Sequence, residues 1–98
     1  MNKITLKIYG PDLSTRKTAA AQRAKVLDAI QRHGDVCLDL SDVESISDSY
    51  ADELFGILAA VNGLEWVISH LRIVSAHDSI LRDIALAMNH RISSSKAA

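Results

Sequence analysis

A chain of 98 residues with 48% apolar and 23% charged residues and a formal net charge of −1 reads as one domain with a modest core, which excludes a disordered tail. Its one cysteine, Cys37, excludes a disulfide framework, fits a reducing cytoplasm and, inside an apolar run, is expected to be a small buried hydrophobe. Lys7, Tyr9, Gly10 and Pro11 interrupt the start before a secretion signal can build up. The most apolar stretch, Leu54 to Ile68, is broken by Asn62, Gly63 and Glu65 short of the roughly 20 residues that a bilayer requires, so no membrane segment is expected.

Lys3 to Tyr9 alternates strictly, with Ile4, Leu6 and Ile8 on one side, and predicts a strand with one wet face at a sheet edge. Gly10-Pro11-Asp12 ends it. Ser14 is placed to cap a helix in which Ala20, Ala24, Leu27 and Ile30 recur at helical spacing and His33-Gly34 is the stop. Arg16, Lys17, Arg23, Lys25 and Arg32 scatter around that helix. They predict a solvated face rather than a nucleic-acid stripe, which needs concentrated cations or stacking aromatics.

Val36 to Leu40 is nearly continuous in apolar character and predicts the centre of a mainly parallel sheet, buried on both faces. A second helix is expected from near Ser49 to Asn62-Gly63, with Ala51, Leu54, Phe55, Leu58 and Val61 inward. Leu64 to Ser69 reads as a short strand, a helical extension or an apolar lip, and its Trp66 as a core or dimer contact. Leu71 to Ser75 predicts a third strand. Ile80, Leu81, Ile84, Ala87, Met88 and Ile92 predict a last amphipathic helix capped near Ser75 to Asp78, after which Ser93 to Ala98 has nothing to bury and is expected to fray. The alternation gives an α/β fold, a small mostly parallel sheet of three to four strands with about three helices, in a single domain over residues 1–92.

Charge is unevenly spread. Residues 1–32 hold seven Lys/Arg against two acids, residues 33–71 hold none against eight, and residues 72–98 hold four against two. The middle segment is where the central strand hands over to the second helix, and ligands of open α/β sheets gather at such carboxyl ends. Asp39, Asp42, Glu44, Asp48, Asp52 and Glu53 therefore predict a negative lip. Within it, Ser49-Tyr50-Ala51-Asp52 fits a capping box, with Ser49 covering backbone N–H groups and Asp52 reaching back, which gives both a purely structural use.

The run from Leu38 to Gly56, sharpest in Ser49-Tyr50-Ala51-Asp52-Glu53-Leu54-Phe55-Gly56, resembles the signature of the bacterial STAS-like proteins, short relatives of the anti-sigma-factor antagonist (STAS) domains. The resemblance spans roughly residues 35–92 and implies a STAS-like fold. In the wider superfamily a strand ending in Asp leads through a short loop to an Asp-Ser-Ser/Thr-Gly segment that opens a helix. A serine or threonine there is phosphorylated by a GHKL-type ATPase partner, and the phosphate turns partner binding off. By position, Asp39 matches the strand-end aspartate, Asp48 the loop aspartate and Ser49 the neighbourhood of the acceptor. Tyr50 stands where the antagonists carry a second hydroxyl or a glycine, and one strand precedes the first helix where they have two. The resemblance thus implies Ser49 as the candidate phosphoacceptor and a partner-binding edge of Asp39, Asp42, Ser47, Asp48, Tyr50, Asp52 and Glu53.

A phosphate at Ser49 adds about −1.5 to −2 charge. With Asp48, Asp52 and Glu53 crowding the same turn and no Lys or Arg close in sequence, it is expected to repel a partner rather than to order the domain internally. Two other chemistries compete for the acidic cluster. A Mg²⁺ or Ca²⁺ site lacks calcium-loop spacing, and an aspartate phosphoacceptor at Asp39, as in receiver domains, lacks the acidic pair that Ile8-Tyr9-Gly10 does not supply. His33 and His90, at expected helix C-termini, and His70 and His77, flanking the third strand, have structural explanations. With no glycine-rich phosphate loop, Cys/His metal spacing or nucleophile elbow, no enzymatic turnover, cofactor or metal is expected. A regulatory protein-interaction module comes first, and a structural assembly domain that forms homodimers second.

Overall fold

The computed structural model describes residues 4–97. Strand β1 (Ile4–Lys7) is followed by a two-residue strand β2 (Asp12–Leu13) and helix α1 (Arg16–His33). Then come β3 (Val36–Asp39), a two-residue strand β4 (Ser45–Ile46) and helix α2 (Asp48–Ala51). A π-helical turn (Asp52–Gly56) joins α2 to α3 (Ile57–Asn62), and the chain closes with α4 (Leu64–His70), β5 (Leu71–Val74) and α5 (Asp78–Ala97).

The main sheet is parallel in the order β1-β3-β5, so the second of its three strands in chain order is also the central one, and β1 lies at an edge as its alternation predicts. Ile4, Val36 and Leu71 pair across the sheet, as do Leu6, Leu38 and Ile73. Laterally paired residues of a parallel sheet share a face, and that apolar face meets the helices. The opposite face carries Thr5, Lys7, Cys37, Asp39, Arg72 and Val74, all half-buried or exposed. Burial of the central strand on both faces is therefore not realised. Cys37, expected as a core residue, is half-buried on the uncovered side.

The helix boundaries follow local chemistry. Thr15, not Ser14, caps α1: its extended backbone lets Oγ1 accept from Thr18 N at 3.2 Å, while the Ser14 carbonyl accepts from Ser47 Oγ at 2.8 Å. The buried stripe of α1 runs through Ala19, Val26, Ala29 and Ile30, leaving the expected Ala24 exposed. Gln22 and Arg23 fill the inward face between, because both have partners in the second helical segment. Gly63, at φ 95°, ends α3 where Asn62-Gly63 predicts a stop. Leu64 to His70 takes the helical one of its three readings, with Val67 buried and Trp66 half-buried against the core.

Two further expectations change. Val61, placed inward by helical spacing, is 75% exposed, because the π turn inserts an extra residue ahead of it, and Ala59 is buried beside the expected Leu58. Helix α5 continues to Ala97, so residues 93–97 prolong it rather than forming an irregular tail, and His90 lies within the helix instead of at its end. Pro11 and Leu13, beyond the turn that ends β1, are used again. Strand β2 pairs with β4 in parallel, and the Pro11 carbonyl accepts from Glu44 and Ser45 N–H. Two strands thus precede the first helix, the second only two residues long.

Candidate functional site

The loop from Asp39 to Ser47 is tied down by its own acids. Asp39 accepts from Ser41 N at 2.9 Å, which, with the Ser41 hydroxyl and the Lys7 ammonium beside it in the sheet, holds its carboxyl below the usual carboxylate range. Asp42 Oδ2 accepts from Gly10 N at 2.8 Å. Between them Val43 is fully buried, pinning the loop to the core. Ser45 Oγ donates to Asp12 Oδ1 at 2.6 Å and completes the link between the two short strands.

Ser47, rather than Ser49, caps the second helical segment: its Oγ accepts from Tyr50 N at 3.0 Å and donates to the Ser14 carbonyl. That moves the helix start to Asp48 and removes the capping-box role from Ser49 and Asp52. Ser49 is left exposed, beside the exposed Asp48. Tyr50 is 1% exposed, and its hydroxyl hydrogen-bonds Gln22 of α1. Burial pushes that phenol well above its ordinary value. Tyr50 is therefore a core residue and offers no surface to a partner, in contrast to its expected place on the binding edge.

Asp52 and Glu53 also turn inward, onto three arginines distant in sequence. Arg91 of α5 forks Asp52, Nε to Oδ1 and Nη2 to Oδ2, both at 2.7 Å. Arg16 of α1 donates Nη1 to Asp52 Oδ2 at 2.9 Å and to Glu53 Oε1 at 3.0 Å. Arg23 bonds Glu53 Oε2 at 2.9 Å and the Glu53 carbonyl. The Arg91 guanidinium first, then Arg16, holds the Asp52 carboxyl far below its ordinary value, and Arg23 with Arg16 lowers Glu53. The expectation that no cation stands near this acidic turn thus fails in three dimensions. The cations come from the two ends of the chain.

Backbone geometry makes the clamp possible. In the π turn Ile57 N–H reaches the Asp52 carbonyl, five residues back. Gly56 sits where α5 comes closest: a Cβ there would stand 2.8 Å from Asp52 Oδ1, 3.0 Å from Arg91 Cγ and 3.2 Å from the Ala87 carbonyl. Leu54 and Phe55 fill the core beneath. Each residue of Asp52-Glu53-Leu54-Phe55-Gly56 accordingly has a packing role.

What remains outward is a cleft of about 550 Å³ between the start of the second helical segment and α5. Asp48, Ser49, Ala51 and Asp52 line one side, Asp83, Leu86, Ala87, His90 and Arg91 the other, and Arg16 closes an end. Leu86, 65% exposed, gives it an apolar wall. Sequence reasoning missed the α5 side altogether, although Leu86 breaks the apolar spacing of that helix and was the available signal. Of the expected binding edge, Asp48 and Ser49 meet in this cleft with Asp52. Asp39 and Asp42 serve the loop, Ser47 the cap, and Glu53 the clamp. Among the described residues no three His, Cys, Asp or Glu side chains group closely enough to hold a metal ion, and no helix is long and apolar enough to cross a membrane.

No curated protein and no solved structure matches significantly. A family model described as the STAS-like domain of unknown function (DUF4325) matches residues 22–81. That span begins at the Tyr50 partner Gln22 and takes in the central strand, the clamp's acidic residues and the start of α5, and over it the chain belongs to the STAS-like family.

Proposed function

We propose that this domain is a non-enzymatic regulatory module that binds a protein partner through the cleft between the second helical segment and α5, and that Ser49 is the residue whose phosphorylation releases that partner. What supports the reading is a division of labour along the signature. Asp39, Asp42, Ser45, Ser47, Asp52 and Glu53 are consumed by the fold, whereas Ser49 and Asp48 stay exposed and line the cleft with Leu86. A partner can cover the apolar wall, and a dianionic phosphate at its rim makes that burial unfavourable. A GHKL-type ATPase is the partner that the anti-sigma-factor antagonists, as relatives of the family, suggest, acting from the cytoplasm.

Incubation of the protein with a candidate ATPase and ATP, followed by intact-mass measurement, is expected to show one added phosphate that disappears in Ser49→Ala. Ser49→Glu should bind the same ATPase at least tenfold more weakly; binding equal to wild type would sink the switch.

A second reading, a homodimerising assembly domain, draws on Val61 and Ile68. These two apolar side chains of α3 and α4 are 75% and 66% exposed.

A further inference from the structure

We propose that Arg16 is the receiver for the charge placed on Ser49: on phosphorylation its guanidinium leaves the Asp52–Glu53 clamp and pairs with the phosphate across the cleft. The inference rests on the reading of Ser49 as the modified residue. Transfer of the γ-phosphoryl group of ATP forms one bond from phosphorus to Ser49 Oγ, breaks the bond to the leaving ADP and releases the hydroxyl proton.

The clamp is built with one cation to spare. Asp52 and Glu53 are two anions facing three arginines. Asp52 is forked by Arg91 and Glu53 is held by Arg23, so each carboxylate keeps a charged partner when Arg16 departs. Departure of either other arginine would leave a half-buried carboxylate with Arg16 alone. Arg16 is also the loosest of the three. Its side chain is 52% exposed against 25% for Arg23 and 38% for Arg91, and it is bound only through Nη1, as Arg23 is, whereas Arg91 engages Nε and Nη2. Its Nε and Nη2 have no protein partner among the described residues, and a planar fork suits two phosphate oxygens.

Arg16 and Ser49 already line the same cleft. The other charged groups there divide. Asp48, Asp52 and, from α5, Asp83 oppose a phosphate, while Arg91 favours it but is committed to Asp52, and His90 adds a positive charge only when protonated. The least committed cation is therefore the one that moves. The result is a change in what α1 presents: in the unmodified protein Arg16 braces the second helical segment, and in the phosphorylated protein it offsets part of the phosphate charge at the rim of the cleft, which stays negative.

The test uses full-length protein with phosphoserine genetically encoded at position 49, so that no kinase is needed. The second ionisation of the phosphate, near pH 6 for a free phosphoserine, is followed by phosphorus NMR. In otherwise wild-type protein it is expected to fall about half a unit or more below its value in Arg16→Gln, with Arg16→Lys between the two. The difference should shrink at high salt. Equal titration in wild type and Arg16→Gln would overturn the proposal. Should Arg16→Gln fail to fold, the arginine Nε–H resonances of wild type decide. Arg16 should shift on phosphorylation while Arg91 stays, and movement of Arg91 alone, or of neither, sinks the idea. Because the phosphate is installed directly, failure of any ATPase to modify Ser49 would count against the proposed function and leave this result standing.

Discussion

At the scale of single residues, Ser47 and Ser49 stand two positions apart and do different work. Ser47 Oγ satisfies a helix N–H and reaches a carbonyl of the preceding loop, so Ser47→Ala should lower unfolding free energy by about 1 kcal/mol. Ser49→Ala, at an exposed position without a cap bond, should stay within about 0.5 kcal/mol of wild type in the same urea titration. The sequence pattern assigns the cap to Ser49 and places Ser47 only on the expected binding edge. What separates them is the carbonyl of Ser14, brought near only by the folded chain. Asp52 makes a prediction in pH. Its folded carboxyl titrates below the ordinary value, so its contribution is fully present above about pH 4 and is lost as pH falls through the folded value. Asp52→Asn should therefore be less stable at neutral pH, by about 1 to 3 kcal/mol, and should lose less further stability on acidification. Parallel acid slopes would contradict the assignment.

At the scale of elements, the π turn is where helical periodicity stops being a guide. Ala51, Leu54, Phe55 and Leu58 are inward as the spacing predicts, and the sequence therefore shows this helix clearly up to the fourth of those positions. The extra residue in the turn is invisible to an apolar count, which is why Val61 is misplaced. The inward face of α1 was hidden for a related reason. Its centre is occupied by Gln22 and Arg23, polar residues that become interior only because Tyr50 and Glu53 meet them. Alanine, at 20 and 24, gives little information about which side of a helix is wet. Gly56→Ala tests the close approach of α5. The added methyl group meets a carboxylate, an arginine stem and a backbone carbonyl, and the expected cost is about 1 to 3 kcal/mol in denaturant unfolding, with reduced hydrogen-exchange protection in α5.

At the scale of the whole molecule, the sheet order and its parallel sense follow from the alternation of strands and helices, and the single covered face does not. Cys37 inside an apolar run looks like core, yet the chain has helices enough for one side only. If Val61 and Ile68 mediate self-association, sedimentation should show a dimer that Val61→Glu abolishes without altering the circular dichroism spectrum; a monomer at high concentration removes that reading. The arrangement of the sheet has a consequence in time. Ile4 pairs with Val36 and Val36 with Leu71, partners 32 and 35 residues apart, and neither pair can be reached through a hairpin. Each ladder must wait for a large loop to close, the kind of topology that folds slowly for its size. A nascent chain leaving the ribosome holds an unmatched first strand until Val36–Asp39 appears, and the last edge is added only once Leu71–Val74 has followed.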